Sequence, residues 1–206
     1  MLPLTDCKLY GIVDLGYVLP DHVAEMTTAL IEGGIDLIQL RAKKLPVEQV
    51  EALARVIHPL TRAAGVPFVI NDHPEIAARV GTEGVHVGQD DDAVARAREV
   101  VGADCFVGKS THSLAQARAA QAEGADYIGF GPLYATGTKP DYTPIGLNDI
   151  TEVHQHVQVP IFCIGGVNAD RLDEVLAAGA KRVVVVSAFL LAPDVRHAVR
   201  ALKARI

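Results

Sequence analysis

At 206 residues the chain suits one domain with a large core and is short for two. Half of the residues are hydrophobic, as a continuously buried α/β sheet requires, and a net charge of −6 with a pI near 5.7 argues against non-specific nucleic-acid binding. An anionic substrate is not excluded, because local charge decides that. No apolar run approaches the roughly 20 residues of a membrane span, and the stretch from Met1 to Asp6 lacks the basic and apolar regions of a signal peptide.

Three cysteines, Cys7, Cys105 and Cys163, are odd in number and widely spaced. Cys105 and Cys163 sit in apolar, strand-like runs, which reads as buried thiols rather than disulfide, metal ligand or nucleophile. The expectation is a reducing, cytoplasmic location, with no nucleic-acid or membrane partner and homo-oligomerisation left open.

In chain order, β-rich runs are expected at 8–14, 37–43, 67–72, 84–89, 105–111, 127–133, 160–166 and 182–189. The last is the clearest, because Val183 to Val186 is β-branched throughout. Amphipathic segments lie between them. In 47–64, Val50, Leu53, Ala54, Ile57 and Leu60 follow the spacing of one buried helix face, as do Leu172, Val175 and Leu176, then Val195, Val199 and Leu202. Glycines at Gly33-Gly34, Gly65, Gly102, Gly124 and Gly179 supply helix stops ahead of the next strand. Strict alternation gives a parallel sheet, open or closed, and eight repeats favour closure. The fold class is therefore α/β, a single (β/α)₈ barrel over 1–206 with short loops. The Thr/Pro/Gly-rich segment 134–146 has no periodicity and follows strand six. It reads either as a surface loop or, given its place on the rim, as an active-site lid.

In such barrels chemistry sits at the C-terminal ends of the strands, and here those ends are polar. Strand one ends at Asp14, and strand two carries Gln39, Arg41 and Lys43 on alternate positions. Strand three ends Asn71-Asp72, strand four runs into Gln89-Asp90-Asp91, and strand five gives Ser110-Thr111-His112. After strand six come Thr136, Thr138 and Lys139; strands seven and eight end in Gly165-Gly166 and Ser187. Singly, Arg41 and Lys43 could be solvated charges and Asp72 or Asp91 a helix cap; together they converge on one rim. Glycines before a helix expected near Asn168, with Ser187 beside them, suit a phosphate. Asp72 and Asp91 could share a Mg²⁺ that takes phosphate oxygens. Arg41, Lys43 and Lys139 suit a more highly charged group, a diphosphate better than a monophosphate. No Cys/His spacing suggests zinc, and no Gly-x-Gly-x-x-Gly suggests a dinucleotide.

The runs Gln39-Leu40-Arg41-Ala42-Lys43, Asn71-Asp72, Gly84 to Asp91, Ser110 to Ser113, Gly131-Pro132 with Thr136 to Lys139, and Ile164 to Val167 resemble thiamine phosphate synthase. The resemblance is collinear from about Tyr10 to Phe189. It implies a transferase that joins an aminopyrimidine methyl diphosphate to a thiazole phosphate, giving thiamine phosphate and diphosphate by a dissociative substitution. It further implies Mg²⁺ at Asp72 and Asp91, and diphosphate at Arg41, Lys43, Thr136, Thr138 and Lys139. Gln39, Asn71 and Ser110 would position the pyrimidine, and Gly166 with Ser187 the thiazole phosphate. Arg41, Lys43, Ser110 and Lys139 would be the catalytic residues. The chain departs from the pattern in ending strand one with Val13-Asp14 rather than Thr-Asp, in His73 and in Lys109. The alternatives are a related thiazole tautomerase using His112 for proton transfer, or a phosphate-binding paralogue without catalysis.

Overall fold

The computed structural model describes residues 1–89, 93–137 and 143–206. Eight strands form a closed parallel barrel in sequential order: β1 Leu9–Asp14, β2 Leu37–Arg41, β3 Phe68–Asn71, β4 Gly84–Val87, β5 Phe106–Thr111, β6 Tyr127–Phe130, β7 Ile161–Cys163 and β8 Val183–Val185. Helices follow each strand: α1 Val23–Gly33, α2 Val47–Ala64, α3 Pro74–Val80, α4 Ala93–Val101, α5 Leu114–Ala122, α6 Ile150–His156 and α7 Leu172–Ala177, with α8 Ser187–Leu190 and α9 Val195–Lys203 after β8. Among the described residues, no helix is long and apolar enough to cross a membrane.

Period-two alternation divides each strand between two cores. One face, with Ile38, Leu40, Phe68, Ile70, Val85, Val107 and Val183, packs against the helices. The other fills the barrel with Tyr10, Ile12, Leu37, Val69, Tyr127, Phe162 and Val184. The large interior rings fit because glycines stand opposite them. A Cβ on Gly108 would lie 2.1 Å from Tyr127 Cζ, and one on Gly84 2.1 Å from Phe106 Cε2. Tyr10, Tyr127 and Phe162 meet edge to face, with centroids 5.4–6.1 Å apart.

The expected helix stops are present, with Gly34, Gly65, Gly102, Gly124 and Gly179 all at positive φ. The α2 face is rotated slightly from expectation: Val50, Ala54 and Ile57 are buried with His58 and Thr61, while Leu53 and Leu60 are half-buried. Two boundaries differ more. The run 182–189 is not one strand, because β8 stops at Val185 and Ser187–Leu190 is helical. The backbone turns at Val186 (φ −118°, ψ −93°), whose carbonyl accepts from the N–H groups of Phe189 and Leu190. The β-branched run ends there, and a one-turn helix buries Phe189 and Leu190 where a continuing strand would alternate them. After β7, the helix begins at Leu172 rather than near Asn168, because the Asn168 side chain accepts from Arg171 N–H at 3.0 Å and holds an intervening turn.

Lys109 belongs to the helix-facing core. It is buried, and its Nζ donates to Glu123 Oε2 at 2.5 Å, so this charge is spent behind the sheet.

Candidate active site

The C-terminal mouth of the barrel opens into a cavity of about 500 Å³. It gathers Gln39, Arg41, Asn71, Ser110, Thr136, Gly166 and Ser187 from five strand ends and the loop after β6. Lys43 and Asp72 are on the same rim but do not line it. β2 stops at Arg41, so the alternation expected through Lys43 ends two residues early, and Lys43 stands half-exposed in a turn. Its Nζ lies 3.2 Å from Asp72 Oδ2. Asp72 has φ +65°, a left-handed conformation uncommon outside glycine, and its N–H donates to the His86 carbonyl at 2.8 Å. Asp91, Thr138 and Lys139 lie outside the described residues.

Arg41 is anchored from the neighbouring strand. The β1–β2 register sets Asp14 beside Arg41, and Asp14 Oδ2 accepts from Arg41 Nη1 at 2.5 Å while Oδ1 accepts from Gly16 N–H at 2.8 Å. Both side chains are largely buried, at 14% and 5% exposure, so the guanidinium is held by a charge-assisted bond in a place where water screens it poorly. The carboxylate that ends strand one thus supports the cation of strand two.

Along the cavity floor a chain of hydrogen bonds crosses the barrel. Gln39 Nε2 donates to Tyr10 Oη at 2.5 Å, Tyr10 and Tyr127 hydroxyls are 3.1 Å apart, Tyr127 Oη is 3.0 Å from His86 Nδ1, and His86 Nε2 is 2.9 Å from Ser110 Oγ. An amide N–H only donates, so Tyr10 Oη accepts from Gln39. Every proton of the chain finds an acceptor when Tyr10 donates to Tyr127, Tyr127 to His86 Nδ1, and the His86 Nε2–H to Ser110 Oγ. In that arrangement His86 carries its ring proton on Nε2, and the Ser110 hydroxyl keeps its own proton for a partner in the cavity. Burial pushes the ionisation of both tyrosines well up, that of Tyr127 reinforced by Tyr10, so the chain stays protonated.

His86, Tyr10, Tyr127 and Arg171 are cavity-lining side chains that sequence reasoning missed. For His86 the signal was Gly84-Val85-His86-Val87, whose alternation turns His86 inward once Val85 and Val87 face the helices. His112 also lines the cavity, and its Nδ1 donates to the Gly131 carbonyl, while its backbone N–H donates to Gln116 Oε1 at 2.7 Å. Arg171 lines the cavity beside Gly166. All three cysteines are free and buried; burial pushes Cys163 up to about 12 and Cys105 up to about 11, which removes them as thiolate nucleophiles at neutral pH.

A closed eight-stranded barrel with a polar cavity at the C-terminal ends of its strands defines the class, a (β/α)₈-barrel enzyme. The sequence narrows the class to one family. The family model described as thiamine monophosphate synthase matches residues 9–189. The thiamine-phosphate synthases of Pelotomaculum thermopropionicum and Chloroflexus aurantiacus are each 42% identical to the chain over 204 residues, spanning 98% of the chain and 94% of either relative. Among solved structures, thiamine phosphate pyrophosphorylase from Pyrococcus furiosus superposes with a TM-score of 0.87 at 33% identity, covering 96% of this chain and 94% of that one. The chain belongs to the thiamine monophosphate synthase family.

Proposed function

We propose that the cavity joins a hydroxymethylpyrimidine diphosphate to a thiazole phosphate, releasing thiamine phosphate and diphosphate. The observation that carries this reading is the convergence of seven motif residues, Gln39, Arg41, Asn71, Ser110, Thr136, Gly166 and Ser187, on one cavity. Near-full-length relatives named as thiamine-phosphate synthases support it and favour it over the tautomerase and the non-catalytic paralogue.

The residues divide the work by charge and position. Arg41, fixed by Asp14, stabilises the diphosphate as it departs, and Lys43, Thr136, Thr138 and Lys139 complete its cradle. Gln39, Asn71 and Ser110 hold the pyrimidine, with the Ser110 proton available to a ring nitrogen. Departure of the diphosphate leaves a pyrimidine-stabilised carbocation, which the thiazole nitrogen captures to form the new C–N bond. Gly166 and Ser187 hold the thiazole phosphate so that this nitrogen faces the reacting carbon. The segment 134–146, of which 138–142 lie outside the described residues, acts as the lid that keeps water from the cation.

The carboxylate of Asp72, on the rim outside the cavity wall, fits a hard oxygen-preferring cation, and with Asp91 it would hold Mg²⁺. Bound there, Mg²⁺ supplies charge neutralisation to the leaving diphosphate. The partners are small phosphorylated molecules, and three free cysteines support a reducing, cytoplasmic setting.

The test is metal dependence joined to site dependence. Coupling should stop in EDTA and return with Mg²⁺, and Asp72→Ala should lose most of the activity. Full activity in EDTA would overturn the metal assignment. Thiazole proton exchange without any pyrimidine diphosphate, abolished by His112→Ala, would favour the tautomerase instead.

A further inference from the structure

The two ends of the cavity are unequally supplied with charge. Among its described lining residues, the lysine and arginine side chains are Arg41 and Arg171 alone. Arg41 serves the diphosphate end. At the other end, Gly166 and Ser187 offer a phosphate only neutral donors, and α7 is a six-residue helix that starts at Leu172, beyond the turn. A phosphate held there by backbone and hydroxyl groups alone would have to shed its hydration without a counter-charge.

Arg171 is built to supply that charge. Its Nη1 donates to the Gly166 carbonyl at 2.9 Å, and its Cζ lies 4.4 Å from the centroid of the Tyr134 ring. The Tyr134 hydroxyl donates to Glu174 Oε2 at 2.8 Å, so that carboxylate is engaged by the tyrosine. Among the described residues, no carboxylate lies within 4.0 Å of the Arg171 guanidinium. The contact with the glycine turn is close: a Cβ added to Gly166 would lie 2.8 Å from Arg171 Nη1 and 2.8 Å from Tyr134 Cβ. The Asn168 side chain fixes the backbone of Arg171 in the same turn. The guanidinium is therefore pre-positioned by a carbonyl and an aromatic face, without an ion-pair partner within 4.0 Å among the described residues, and Arg171 lines the cavity wall.

We infer that Arg171 is the cation of the monophosphate site, selecting the phosphorylated thiazole over its free alcohol. This inference rests on the synthase reading for the identity of its ligand, while the anion site itself does not.

Isothermal titration of Arg171→Gln and Arg171→Lys with thiazole phosphate, thiazole alcohol and inorganic phosphate separates the two. Arg171→Gln should weaken thiazole phosphate by about tenfold or more and flatten its salt dependence, with alcohol binding unchanged. Arg171→Lys should recover part of the loss, and the KM for the pyrimidine diphosphate should stay within about twofold in both. Equal thiazole phosphate affinity in Arg171→Gln and the parent overturns the inference even if the parent couples its substrates. So does an Arg171→Lys variant as weak as Arg171→Gln, which would assign the loss to the Gly166 strut. A parent that couples nothing, yet binds inorganic phosphate through Arg171, removes the synthase reading and leaves the anion site standing.

Discussion

Replacing Tyr127 with Phe isolates one hydroxyl at the centre of the barrel. The ring is fully buried, and its edge-to-face contacts with Tyr10, Phe106 and Phe162 survive the change. What is lost is the oxygen between Tyr10 Oη at 3.1 Å and His86 Nδ1 at 3.0 Å. Each buried polar group deprived of its partner costs about 1–3 kcal/mol. Tyr10 retains the Gln39 amide, so its share lies at the low end, and the sum is about 2–4 kcal/mol. Urea unfolding should show that loss with an unchanged slope. The second consequence is chemical: His86 is no longer obliged to carry its proton on Nε2, and Ser110 loses a fixed donor. Nitrogen-15 NMR of the His86 ring should move from a single Nε2–H tautomer to a mixture, and kcat should fall while thiazole phosphate affinity holds. Stability within about 0.5 kcal/mol of the parent, with an unmoved His86 signal, would refute the directional chain.

Three further outcomes follow from the same geometry. Asp14→Asn keeps an oxygen for Gly16 N–H but removes the charge behind Arg41; kcat/KM for the pyrimidine diphosphate should drop by about tenfold to a hundredfold in steady-state assays. Stability should be level near neutrality and fall as pH rises past about 9. Burial holds the Cys163 thiol protonated up to about 12 in the folded state, so the unfolded chain gives up that proton first and gains on titration; Cys163→Ala should shallow the alkaline fall measured by thermal unfolding. Deleting residues 137–141 should divert product to the pyrimidine alcohol or stop turnover, and unchanged coupling kinetics would remove the lid role from this segment.

Much of the barrel was legible because its determinants are local. The β-branched run at Val183 to Val185, the glycine stops and the helix at Val47–Ala64 each follow from neighbours within a few residues. The strand ends were less legible. Alternation continues on paper through Lys43 and Phe189, whereas the rim turns the chain at Arg41 and Val186. The motif residues of the site were readable as residue types on one rim. Which of them share a wall was not, since Asp72 takes a left-handed backbone and meets Lys43 outside the cavity. The buried polar chain was hidden for a different reason. Tyr10, Tyr127 and His86 look like ordinary core positions until barrel closure sets β1, β4 and β6 around one interior. Arg171 was similarly invisible, being placed by a turn that stands where a helix was expected.

The central claim is that one cavity holds both phosphorylated substrates and couples them. Its most direct measurement is product stoichiometry when the purified chain is given the pyrimidine diphosphate, the thiazole phosphate and Mg²⁺. Thiamine phosphate and diphosphate should appear together in equal amounts, and neither substrate alone should yield them. Diphosphate release without thiamine phosphate, or no reaction at all, would contradict the account.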